Sequence, residues 1–279
     1  MKNLLLDRFR DIVTGHDENI NVAEAALIIA NNENPVLDPA RCVQRLDGMA
    51  EEFRIRRGGI PTIDRIVPEL NRYLFDELGF RGNIDHFNDP RNSYLDQVLD
   101  RRLGIPISLS LIYMEVGRRL GLPVDGISFP GHFLVRVGIG REGMVLDPFS
   151  AGIELDREEL QRRLENAVGG RRASPDLDEL LQPASNREIL SRMLRNLKNI
   201  YFEREDYRRA LDCVNFALAI APGTAAEIRD RAYIHDQLEH IRAAIRDYEE
   251  YLMLSPDTDD TRLIRHRLAD LKQSALRLH

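Results

Sequence analysis

At 279 residues, 43% hydrophobic and 30% charged, the chain has the balance of a soluble protein with room for two modest domains. A net charge of −7 offers no broad basic footprint, so nucleic acid is not expected as a partner. Two cysteines, Cys42 and Cys213, make no disulfide framework and fit a reducing cytosol. The opening MKNLLLDRFRD is too short an apolar run for a signal peptide, and no stretch approaches the roughly 18 apolar residues of a membrane helix. A cytoplasmic protein without membrane contact is the expectation.

Residues 19–57 read as helices. INVAEAALIIANNENP has apolar positions at helical spacing and stops before Pro35, and DPARCVQRLDGMAEEFRIR starts on Asp38 as N-cap with Pro39 at the first helical position. IDRIVPELNRYLFDELGF is helical, interrupted or restarted at Pro68, and closes at Gly79 and Gly82. NSYLDQVLDRRLG follows, with Asn92 or Ser93 as its expected cap. Asn92 or Gln97 is the alternative choice for an oxyanion donor. IPISLSLIYMEVGRRLGLP then places Pro106 in a first helical turn and ends at Gly121, with Pro123 just beyond.

A short strand is predicted at 124–128. After it, FPGHFLVRVGIGREGMVLDPFS reads as a hairpin, with apolar runs at 133–139 and 144–146 and a turn near GREG, 140–143. The ends of an antiparallel pair lie side by side, so His132 and Asp147 can meet across the intervening residues. A histidine oriented by a carboxylate is two thirds of a nucleophilic triad.

GGRRASPDLDELLQPASN, 169–186, is rich in Gly, Pro, Ser and charge, and a domain boundary is expected near its end. Beyond it an offset of 34 residues superposes Ala210 on Ala244, Leu211 on Ile245, Leu218 on Leu252 and Pro222 on Pro256. That period, with small residues at the helix crossing and a terminal proline, is the pattern of tetratricopeptide repeats. Two such units do not stand alone, so a helix at 261–276 is expected to cap one end and the first domain the other.

Cys42 lies in an amphipathic helix and Cys213 inside a repeat helix, where a small core residue is the simplest reading. The remaining nucleophile candidate is Ser108, in the first turn of its helix, with Ser110 two residues on. A helix start is where a thiol protease or transglutaminase places its nucleophile. His235 and His240 are five apart, off a common helix face. Phosphate loops, dinucleotide fingerprints and zinc-type cysteine pairs do not occur, so neither metal nor cofactor is expected.

The order of helix-start nucleophile, helix ending in LGLP, strand, Gly-His strand, turn and LDP resembles a transglutaminase-like core of the papain-like thiol class, over Asn88 to Ser150. More closely, NSYLDQVLDRRLGIPISLSLIYMEVGRRLGLPVDGISFPGHFLVRV resembles a bacterial family that joins such a core to C-terminal tetratricopeptide repeats and takes its name from invasion-gene regulation. The resemblance implies an α+β fold: a papain/transglutaminase-like core of helices on a small antiparallel sheet (88–183), preceded by an N-terminal helical region (1–87) and followed by all-α repeats (184–279). It also implies His132 and Asp147 as the retained site residues. The family's cysteine position falls near Pro106 to Ser108, where no thiol stands, and Ser108 is the best match.

A hydroxyl is far less acidic than a thiol, and helix placement alone does not ionise it. The expectation is therefore a non-catalytic scaffold that recruits a protein or peptide partner through its cleft and repeats. The alternative is a hydrolase or acyltransferase acting on amide or ester bonds, with Ser108 as nucleophile, His132 as base and Asp147 as orienter.

Overall fold

The computed structural model describes residues 2–57, 62–140, 143–169 and 176–277. In chain order the elements are α1 (Lys2–Val13), α2 (Val22–Glu33), α3 (Pro39–Arg57), α4 (Ile63–Asn71), β1 (Arg81–Gly82), α5 (Leu95–Arg101), β2 (Leu103–Gly104) and α6 (Pro106–Arg119). Then come β3 (Val124–Ile127), β4 (Leu134–Val137), β5 (Met144–Asp147), β6 (Ile153–Glu154), α7 (Arg157–Val168) and α8 (Leu177–Leu180). The helices α9 (Asn186–Glu203), α10 (Tyr207–Ile220), α11 (Ala225–Gln237), α12 (Ile241–Leu254) and α13 (Thr261–Arg277) complete the chain. The α+β class with an all-helical C-terminal part is as expected.

Packing divides these elements into two compact units, Gly15–Met193 and Met1–Thr14 with Leu194–His279. This differs from the three-part division at residues 87 and 183. Residues 15–87 are not a separate region, because α2 packs on α3 and α5, and α3 packs on α6. The first fourteen residues belong with the repeats, where Phe9 meets Phe216 edge to face at 4.8 Å.

In the core unit every residue of α6 from Pro106 to Gly117 is buried, as in a central helix. Around it the sheet runs β3-β4-β5-β6, all antiparallel, while β1 and β2 form a separate parallel pair. Strand β4 is buried along its full length, so LVRV shows no alternation. Residues from α7 and α8 supply the cover: Leu160, Leu164, Leu177 and Leu181 pack with Ile127, Leu134 and Val145.

Two elements depart from the sequence reading. The segment expected as a linker is structural from Asp176 onward: Leu177 and Leu181 enter the core, and Ala184 N–H donates to Gly126 O at 2.8 Å on the β3 edge. Its residues 170–175 lie outside the described residues, as do 141 and 142 of the hairpin turn. Pro68 sits inside α4 without breaking it, and the irregularity follows instead as a wide turn at Arg72–Glu77. Burial of Ile66, Val67 and Leu70 on one face carries the helix through the proline.

In the other unit α10 and α12 begin and end at the same 34-residue offset, and both Ala210 and Ala244 are fully buried. Even the turns repeat, since Glu205 and Glu239 both take left-handed φ, 53° and 57°. The last helix α13 closes the array on Tyr248, Tyr251 and Ala244 through Ile264, Leu268 and Leu271.

Candidate functional site

His132 stands at the end of a tight turn, Phe129-Pro130-Gly131-His132, two residues before β4. His132 N–H donates to Phe129 O at 3.1 Å, and Gly131 has φ +69°. Proline second and a left-handed glycine third are what a type II turn requires. Arg192 of α9 fixes the turn from outside: Nη1 donates to Ser128 Oγ and Phe129 O, both at 2.9 Å, and the guanidinium lies over the Phe133 ring at 5.7 Å. The imidazole, 21% exposed, meets the edge of Phe149 at 5.8 Å between centroids, and Phe149 in turn meets Phe87, which is 46% exposed. Phe149 rests on the bare backbone of Gly82, where a Cβ would stand 2.6 Å from the ring.

Asp147 ends β5 and is fully buried. Its Oδ1 accepts His132 Nε2–H at 2.8 Å and Phe149 N–H at 3.1 Å, and its Oδ2 accepts Arg163 Nη1–H at 2.8 Å and Ser150 Oγ–H at 2.9 Å. Burial pushes the carboxyl pKa up, but hydrogen bonds and charge from His132, Arg163 and Ser150 outweigh it and hold the group at about 2. An ionised carboxylate only accepts, so His132 turns its Nε2–H toward Asp147 and leaves Nδ1 on the other side of the ring. No described residue hydrogen-bonds Nδ1. The pair is an oriented imidazole whose Nδ1 is open to a hydrogen-bond donor.

Ser108 does not supply one. Its hydroxyl is fully buried, donates to Asn92 O at 2.6 Å, and accepts the N–H of Ile105 at 3.0 Å. Those partners close the first turn of α6, and the hydroxyl has no bond to His132. Ser110 Oγ donates to Phe133 O at 3.3 Å. Asn92 and Ser93 do not cap α5, whose N-cap is Tyr94. The Asn92 amide is instead buried, donating to His86 O at 2.8 Å and accepting from Asn83 Nδ2 at 3.0 Å, while Gln97 donates to Asp96. Neither hydrogen-bonds the imidazole.

Both cysteines are buried, and for Cys42 burial and the charge of Asp96 push the thiol pKa up, away from reactivity. His235 and His240 do approach, with Nδ1 atoms 3.2 Å apart, because α11 stops at Gln237 and the chain folds back between them. The described residues contain no group of three or more His, Cys, Asp or Glu able to hold a metal ion. No described helix is long and apolar enough to cross a membrane.

Arg163, Arg192 and Ser150 are site residues that sequence reasoning passed over. A signal for Arg163 existed: DREEL has Asp156 three residues ahead of Glu159, and the Asp156 carboxylate does accept Glu159 N–H at 2.8 Å, starting α7. Nothing local marks Arg192 as a clamp on a turn sixty residues earlier.

A helix-centred core, an antiparallel sheet and a histidine–aspartate pair at adjoining strand ends define a transglutaminase-like protein. The profile of the transglutaminase-like superfamily matches residues 40–195, and a tetratricopeptide-repeat profile matches 197–269. The chain belongs to the transglutaminase-like superfamily and to the UPF0162 family, and it carries a tetratricopeptide repeat after the core. It is similar to a UPF0162 protein of Xylella fastidiosa, 40% identical over 282 aligned residues and 100% of both chains. Protein SirB1 of Salmonella typhimurium is 27% identical over 240 residues, 85% of this chain and 86% of its own. F-box only protein 21 of Mus musculus shares 46% identity over 85 residues, 30% of this chain and 14% of its own length.

Proposed function

We propose that this chain is a cytoplasmic interaction protein: a transglutaminase-like core without its thiol, serving as a scaffold, coupled to repeats that recruit a protein or peptide partner. The observation that carries this reading is the Ser108 hydroxyl, which is buried and committed to the backbone of Ile105 and Asn92. To act as a nucleophile it would have to leave both bonds and reach His132, opening the first turn of the buried helix α6. The repeats support the second half, since stacked helical pairs of this kind generally serve protein–protein contact.

One observation favours a second reading. His132, with Nε2 held by Asp147 and Nδ1 free, is poised as a general base, so a Ser-His-Asp hydrolase or acyltransferase acting on amide or ester bonds is the alternative. Incubating the full chain with a fluorophosphonate probe separates the two. The scaffold reading expects no adduct at Ser108. An adduct on Ser108 that disappears in His132→Ala would establish the hydrolase.

A further inference from the structure

Within the repeat unit, α9, α11 and α13 border a cavity of about 420 Å³. Phe202, Tyr233, Tyr248, Leu263 and Ile264 line it with apolar surface. Two of these are large and open to solvent, Tyr233 at 42% and Leu263 at 73%. A single exposed apolar side chain is ordinary, but two bordering one concavity mark a binding surface. The aromatic wall is ordered: the rings of Phe202 and Tyr233 stack 6.0 Å apart at 29°, and Tyr207 meets Tyr233 nearly perpendicularly at 6.1 Å.

The polar wall is equally fixed. Arg267 donates as a fork to Asp236, at 2.6 and 2.7 Å, and Arg229 reaches Asp260 and Asp230, each at 3.1 Å. A guanidinium anchored by carboxylates has little side-chain freedom left to lose on binding, and its flat face is a platform for an aromatic ring. Lys198 and Glu227 join the same cluster through Asp230 and Lys198 respectively. Among these charged groups Arg229, Arg267 and Lys198 stand against Glu227, Asp230, Asp236 and Asp260, an excess of one negative charge.

We propose that this cavity seats an aromatic side chain of a partner peptide, and that a lysine or arginine beside that side chain answers the excess carboxylate. The inference rests on the interaction reading above and names its partner's chemistry. Phe202, Tyr233 and Leu263 hold the ring by apolar contact, Arg229 and Arg267 flank it, and the acidic surplus selects basic over acidic neighbours.

The chain contains no tryptophan, so the fluorescence of a tryptophan peptide reports binding without background. A synthetic nonapeptide with Lys-Trp-Lys at its centre is titrated with the full chain, and indole anisotropy is followed. Saturable binding is expected, with Tyr233→Ala and the solvent-exposed change Leu263→Asn each weakening it by about tenfold or more. A peptide with Glu-Trp-Glu should bind more weakly, and one with Lys-Ala-Lys should fail to compete. Absence of binding, indifference to both substitutions, or equal competition by Lys-Ala-Lys overturns the proposal. Fluorophosphonate labelling of Ser108 is read on the same protein, so failure of the cavity assignment and failure of the scaffold reading appear in different assays.

Discussion

Replacing Asp147 with Asn tests whether the buried carboxylate holds the core as a charge. The folded-state pKa of about 2 lies below the ordinary 3.8, so ionisation contributes stability that is fully present above pH 3.8 and is lost as pH falls through 2. The displacement corresponds to about 2 kcal/mol at pH 7, and roughly half of that remains at pH 3. Asn keeps the shape but presents an amide donor where Arg163 or Ser150 also donates, so Asp147→Asn should destabilise the core unit by about 2–3 kcal/mol at pH 7. The gap between the two proteins should then narrow by about 1 kcal/mol between pH 7 and pH 3, as the parent loses its own ionic contribution. Urea titration read by amide exchange in peptides from β4 and β5 isolates the core from the repeats, which need not unfold with it. A gap that is constant with pH, or that widens toward pH 3, would refute the assignment of the stabilisation to the ionised carboxylate.

Gly82→Ala should cost about 1–3 kcal/mol, because the added Cβ meets the Phe149 ring at 2.6 Å, and should displace the His132 ring resonances in NMR spectra. Unchanged stability and shifts would mean that Phe149 does not depend on that close approach. Ser108→Cys should leave a thiol that iodoacetamide does not alkylate in the native chain and does alkylate in urea, since position 108 is fully buried. Rapid native alkylation would show that the first turn of α6 opens readily.

The hairpin, α6 and the repeats were legible because each is written in a local signal. Proline at the first turn of α6, Pro-Gly before His132 and a 34-residue offset all act through neighbouring backbone or a short-range crossing. The meeting of His132 and Asp147 was legible for the same reason, antiparallel geometry bringing strand ends together. What escaped was set by distant packing. Asp176–Ala184 looks like a linker by composition, yet Leu177 and Leu181 join Leu160 and Leu164 in the core against the sheet. The first helix, α1, carries no mark of its partner in its sequence, and its place with the repeats is set by packing on α10, Phe9 against Phe216 included. For Ser108 the sequence gives a place in the first helical turn, while the direction of its hydroxyl depends on the Asn92 carbonyl sixteen residues earlier.

The four donors on Asp147 come from three separate parts of the core. Arg163 ties the carboxylate to α7, Ser150 and Phe149 tie it to the turn after β5, and His132 ties it to the turn before β4. The bonds that hold the core together are thus the same bonds that orient the imidazole. Disturbing the carboxylate would therefore be felt first as a loosened core and only then as a disoriented imidazole.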